Sequence, residues 1–127
     1  MSQFFSFENT TQDHIPGVDF HAIKNEILGD KYELTFTIVD AVEMKRLNLM
    51  YRDKNSPTDI LSFPLSPTEG EIYICPAEAA KEAEKFDRSY DNFIPFLFIH
   101  GCTHLIGIDH GCTMERQEEE FRKKFGI

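Results

Sequence analysis

Three histidines in the last third of the chain, His100, His104 and His110, have the residue type and spacing for metal chemistry. They lie in the string His-Gly-Cys-Thr-His-Leu-Ile-Gly-Ile-Asp-His, an HxxxHxxxxxH pattern. Residues four apart share one face of a helix, so His100 and His104 can reach a common ion. Gly107 can adopt a left-handed conformation and end that helix. The turn would bring His110 back to the same ion. Three imidazoles with one open position describe a catalytic zinc site rather than a closed structural one. Such an ion lowers the pKa of a water toward about 7 and polarises a carbonyl or phosphoryl oxygen. A lone HxxxH is weak evidence, because two surface histidines occur by chance. Here three of the five histidines fall within eleven residues. His14 and His21 are isolated and read as surface or interface residues. Imidazole suits zinc but also accepts nickel and copper.

Other side chains near this string read two ways. Cys102 lies two residues from both His100 and His104, so on a helix it points away from them and reads as core. Cys112 follows His110 by two residues and is a remote co-ligand candidate. Asp109 could orient a histidine as an acceptor or stabilise a turn. Farther upstream, Arg52 could clamp a phosphate in bidentate fashion and stabilise transition-state charge. Alternatively, its guanidinium caps the carbonyls of its own helix. Asp59 could pair with Arg52 or cap a turn.

The elements that must position these residues follow from pattern. Phe4 to Phe7 reads as a strand. Asp19 caps a helix with Phe20, Ile23 and Ile27 on one face and Gly29 as its stop. Tyr32, Leu34, Phe36 and Ile38 alternate with polar residues, which is a strand with one buried face. Asp40 and Glu43 resemble a capping box opening a helix with a Met44, Leu47, Tyr51 stripe and Arg52 at its end. Asp59 to Phe63 is a strand stopped by Pro64. A short loop, Ser66 to Gly70, makes Glu71 to Cys75 its antiparallel partner. Pro76 starts a helix with Ala79, Ala80, Ala83 and Phe86 inward. Pro95 belongs in a first turn, so the histidine helix begins no earlier than about Asn92. Its apolar content makes it central. Thr113 caps a last helix with Met114, Phe121 and Phe125 inward, running from acidic to basic as its dipole favours. The order β-α-β-α-β-β-α-α-α describes an α+β domain over residues 1–127, a mixed sheet of about four strands with about five helices.

At 127 residues a single domain is expected. Apolar residues at 41% and charged residues at 28% are ordinary globular values. No stretch approaches the roughly 20 apolar residues of a membrane span, and the N-terminus lacks the pattern of a signal peptide. Three cysteines without a CxxC pair fit reduced thiols. A cytoplasmic location is expected, with no membrane partner. The net charge of −9 opposes salt-driven binding to nucleic acid. A polyanion would need a local basic patch, and Lys45, Arg46, Arg52 and Lys54 cluster on and after the second helix.

The histidine string is similar to the metzincin peptidase signature, H-E-x-x-H-x-x-G-x-x-H, which implies a zincin-like metal cradle. Gly101 stands where that signature has Glu, the peptidases' general base. No Met-turn is recognisable. A closer resemblance joins His-Gly-x-x-His-Leu-x-Gly-x-Asp-His to Asn48-x-x-Tyr51-Arg52 and Thr58-Asp-Ile-Leu-Ser-Phe-Pro64. Together with Gly70-Glu-Ile and the Ala-rich helix, these segments resemble the YbeY family of bacterial endoribonucleases, the rRNA maturation factors. The likeness runs from about Phe36 to Phe125. Thr103 departs from it, because the family usually has Leu there, and this reads as a packing change.

The resemblance implies a metal-dependent, single-strand-specific endoribonuclease acting in 16S rRNA 3′-end maturation, ribosome quality control and RNA turnover. His100, His104 and His110 would hold one Zn2+, and Arg52 would contact substrate phosphate as the catalytic side chain. Partners would be single-stranded RNA or rRNA and ribosomal particles, with a ribosomal protein or GTPase delivering the RNA. A zinc-activated water or a ribose 2′-hydroxyl could be the nucleophile. Two other readings compete. One is a hydrolase of another substrate, such as a peptide. The other is a ribosome-associated assembly factor whose zinc is mainly structural.

Overall fold

Side-chain alternation builds the sheet, and a computed structural model of the chain describes residues 4–106 and 112–127, without the side chains of residues 112–114. The elements run β1 (Phe5–Asn9), α1 (Phe20–Leu28), β2 (Glu33–Ile38), α2 (Ala41–Arg52), β3 (Ile60–Ser66), β4 (Glu69–Ile74), α3 (Pro76–Lys85), α4 (Tyr90–Leu105) and α5 (Cys112–Phe125). This is the expected order. The four strands form one mixed sheet, β1-β2-β4-β3. β1 and β4 flank β2 in parallel, and β3 pairs antiparallel with β4. The fold is α+β, as the pattern predicts.

Leu34, Phe36 and Ile38 of β2 and Ile72 and Ile74 of β4 face a core with α1, α3 and α4, including Phe20, Phe93 and Phe98. Fully burying such a side chain contributes roughly 1.5–3 kcal/mol. A second cluster packs Met44 and Leu47 of α2 over Val39, Leu61 and Cys75. The strand β3 therefore sits between α2 on one face and α4 on the other. It is also the last strand of the sheet.

Local chemistry explains most boundaries. The Asp19 carboxylate accepts from Ala22 N at 3.0 Å, and Gly29 ends α1 with φ 94°. Asp40 accepts from Glu43 N at 2.8 Å. Glu43 does not complete the capping box, because its carboxylate takes two 2.7 Å bonds from Arg46. The expected helix start at Pro76 is observed.

Several expectations need correction. Pro64 does not stop β3, which continues to Ser66. An edge strand tolerates a residue without an N–H, and the register shifts just there. The connecting turn shrinks accordingly, and β4 begins at Glu69. The helix α4 starts at Tyr90, capped by Ser89, with Pro95 its sixth residue. Proline there forfeits one helical hydrogen bond, and its ring is buried. Tyr51 is 61% exposed, and Asn48 takes its place on the buried stripe of α2. Ala80 is exposed and Ala79 and Ala83 are buried, while Phe86 is half-exposed with its ring against Phe93 and Phe96. The helix α5 begins one residue before the expected cap Thr113. Phe121 and Phe125 pack against the core, partly buried as expected. No described helix is long and apolar enough to cross a membrane.

Candidate metal and phosphate site

Helix periodicity places His100 and His104 one turn apart on α4. Their Nε2 atoms stand 3.0 Å apart, with the rings nearly perpendicular at 81°. Two imidazoles on a tetrahedral zinc, each at about 2.0–2.1 Å, have nitrogens separated by about 3.3 Å. The two side chains therefore converge as donors to one point. His110, Asp109 and Gly107 lie outside the described residues. Among the described residues, no group of three or more His, Cys, Asp or Glu side chains is arranged to hold a metal ion.

A carboxylate determines which nitrogen of His100 is available. His100 Nδ1 lies 2.7 Å from Glu118 Oε1 of α5. Glu118 is only 8% exposed. Burial pushes its carboxyl up, but the hydrogen bond and charge of His100 pull it down. The Thr103 hydroxyl and Arg122 add to that pull, and the balance lies below the ordinary carboxylate range. An ionised carboxylate only accepts, so Nδ1–H donates and Nε2 keeps its lone pair for an ion. Arg122 approaches the other oxygen of Glu118 at 3.7 Å. Thr103 is buried, with its hydroxyl 3.0 Å from Glu118 Oε1 and 2.8 Å from the His100 carbonyl oxygen. The expected packing role of Thr103 is thus corrected: it is a polar partner of the carboxylate that holds His100. Sequence reasoning missed Glu118, which lies in the acidic first half of the last helix with nothing in its spacing to mark it.

The two histidines open into a cavity of about 390 Å³. Arg52 reaches it from the end of α2, Thr58 and Asp59 from the following loop, and Ile60, Leu61 and Ser62 from β3. Asn48 pins that loop, donating from Nδ2 to Ser56 O at 2.8 Å. The Arg52 guanidinium does not cap the carbonyls of its own helix among the described residues. Asp53, in a left-handed conformation with φ 56°, and Lys54 supply the backbone N–H groups that satisfy the Leu49 and Asn48 carbonyls. Arg52 makes no ion pair or side-chain hydrogen bond among the described residues and lies exposed at the cavity.

Asp59 forms no ion pair with Arg52 among the described residues. Its carbonyl accepts from Cys75 N at 2.9 Å, and the Thr58 hydroxyl donates to its carboxylate at 3.4 Å. Burial, followed by the nearby charge of Glu82, raises its carboxyl above the ordinary range. Of the basic cluster, Arg46 is engaged with Glu43. Lys45 and Lys54 are exposed and have no ion pair among the described residues.

Gly101 packs α4 closely against the sheet. A Cβ there would stand 2.9 Å from Ser62 Oγ and 3.0 Å from the Cδ1 atoms of Ile60 and Ile72. A side chain in place of this glycine would press on Ser62 and the two isoleucine methyls, which would have to shift to make room. Cys102 is fully buried, and burial pushes its thiol up, in keeping with the expected core role.

The family model described as Endoribonuclease YbeY matches residues 5–126. An Endoribonuclease YbeY from Finegoldia magna is 35% identical over 80% of this chain and 74% of its own length. One from Nautilia profundicola is 40% identical over 80% of this chain and 77% of its own. In fold, the solution structure of a Thermotoga maritima protein is similar at a TM-score of 0.68 and 24% identity, covering 95% of this chain and 88% of that one. The family match spans the cavity, the paired histidines and Glu118, and the chain belongs to the Endoribonuclease YbeY family.

Proposed function

We propose that the chain is a zinc-dependent, single-strand-specific endoribonuclease, acting in 16S rRNA 3′-end maturation and ribosome quality control in the cytoplasm. The observation that supports it most is the convergence of His100 and His104 Nε2 in a cavity that Arg52 also lines, in a member of this family. His100, His104 and His110 hold the ion. At such a site the ion supplies Lewis-acid polarisation of a phosphoryl oxygen and a water of lowered pKa.

The chain's own residues do the remainder. Arg52 binds a non-bridging phosphate oxygen pair and offsets the charge that builds in the transition state. Glu118 holds the proton of His100 at Nδ1 and so fixes the ring. Asp59, whose carboxyl burial raises above the ordinary range, lies on the cavity wall. Ile60 and Leu61 supply apolar wall around the scissile phosphate. The substrate partners are single-stranded RNA and ribosomal particles.

Metal content and cleavage of a single-stranded RNA, measured together for wild type and His110→Ala, test the reading. About one zinc per chain, with cleavage lost alongside the metal in the variant, is the expected result. One zinc per chain with no difference in cleavage would overturn it in favour of a ribosome-assembly factor.

A further inference from the structure

Next to the cavity, the exposed ring of Tyr51 and the half-buried rings of Phe63 and Tyr73 form a run that no part of the proposed site uses. Tyr51, adjacent to Arg52, has its ring centroid 5.0 Å from Phe63 at 51°. Phe63 in turn lies 5.9 Å from Tyr73 at 61°. Tyr51 is 61% exposed, although an aromatic side chain on a helix normally faces a core. Its neighbour Met50 is 56% exposed, and Leu65, two residues beyond Phe63, is 54% exposed. Leu61 belongs to the cavity wall, and Phe63 follows it on the same face of β3. Two residues along a strand span about 6.6 Å, so the aromatic run begins within one nucleotide's reach of the wall.

We infer that Tyr51 and Phe63 are a stacking platform for an unpaired base flanking the phosphate held by Arg52. This rests on the endoribonuclease reading. Charge favours a nucleic acid as occupant on this flank. Lys45 and Arg52 are seven residues apart on α2 and so share a face, and Lys54 follows, whereas Arg46 is engaged with Glu43. At the far end, Glu71 bonds Tyr73 and Glu43 lies near, which leaves the Tyr51 end for the RNA. A chain of net charge −9 gains little from long-range attraction to a polyanion. Base–aromatic stacking is sequence-tolerant and needs no net positive field, so it supplies the affinity that Coulomb attraction does not. It also requires unpaired bases, which accounts for single-strand preference.

The test measures binding of a short fluorescent single-stranded RNA to the zinc-loaded protein, with cleavage assayed in parallel. Tyr51→Ala is expected to weaken binding and raise KM about tenfold, while Tyr51→Phe keeps wild-type affinity. Removing the base at the flanking position of the RNA should abolish the difference between wild type and Tyr51→Ala. Equal affinity of Tyr51→Ala and wild type, in a protein that cleaves RNA, would overturn the platform and leave the nuclease reading intact. Unchanged RNA binding with loss of self-association in Tyr51→Ala would overturn it in favour of a second copy of the chain. A wild-type protein that neither binds nor cleaves RNA would overturn both.

Discussion

Glu118 holds His100 from the opposite side of the imidazole to the one that meets His104, with Oε1 2.7 Å from Nδ1. The carboxylate comes from α5 and the histidine from α4, so the orientation of one donor depends on how two helices dock. Glu118→Gln keeps the shape but removes the charge that makes His100 donate from Nδ1. A fall of about 10–100-fold in zinc affinity is expected, read by chelator competition with fold checked by circular dichroism. Thr103→Val should show a smaller fall in the same direction. Unaltered zinc affinity in Glu118→Gln would remove the carboxylate from the site.

Arg52 combines exposure, a cavity-facing position and freedom from ion pairs among the described residues. Arg52→Ala is therefore expected to leave stability within about 0.5 kcal/mol and zinc content unchanged. RNA cleavage should fall by about 10²-fold or more. Arg52→Lys restores charge but not the two-pronged contact, so only partial recovery is expected. Single-turnover kinetics on metal-loaded protein make the comparison, and wild-type cleavage by Arg52→Ala would sink the assigned role.

Gly101→Ala tests the contact between α4 and the sheet. The added methyl meets Ser62 and two isoleucine side chains at 2.9–3.0 Å. Overpacking of this kind costs about 1–3 kcal/mol, which a denaturant titration resolves. Gly101→Glu should be more disruptive and should not confer peptidase activity. A stable Gly101→Glu protein would show that the sheet yields more readily than its packing implies.

Tyr32 predicts an alkaline limit to stability. It is 7% exposed, its hydroxyl has no hydrogen-bond partner among the described residues, and burial pushes its pKa up to about 12, with Cys102 and Glu69 adding to the shift. An unfolded tyrosine ionises near about 10. Above that value the unfolded chain loses the proton while the folded chain keeps it. The contribution of Tyr32 is therefore intact below about pH 10 and declines as pH rises through about 12. The loss amounts to about 2–3 kcal/mol. Tyr32→Phe should flatten that alkaline limb and be neutral or stabilising by about 1 kcal/mol at pH 7. Parallel pH–stability curves for the two proteins would refute this account.

The histidine spacing, the order of the nine elements among the described residues and the position of Arg52 at a helix end are local properties, and the sequence displays them directly. What it hides depends on neighbours distant along the chain. Glu118 sits among Glu115, Glu119 and Glu120, and its helix has the composition of a solvated face. Only the docking of α5 on α4 singles it out. Pro64 reads as a stop until β3 is known to be the last strand. Pro95 reads as a first-turn residue until burial of α4 is known to offset the lost hydrogen bond. Tyr51 and Phe86 fit an inward stripe by spacing, yet both stay more than half exposed, each with one edge of its ring against a neighbour. His110 and Asp109, the remaining members of the histidine string, lie outside the described residues.

The position of β3 has a further consequence. A terminal strand beside an open cavity is a template onto which another unfolded or extended chain can add, and such growth ends in aggregates. Pro64 carries no N–H, and the register shifts between Pro64 and Ser66. The rim therefore presents an interrupted ladder. The same proline that reads as a break in the sequence acts as a gatekeeper against the pairing of neighbouring strands.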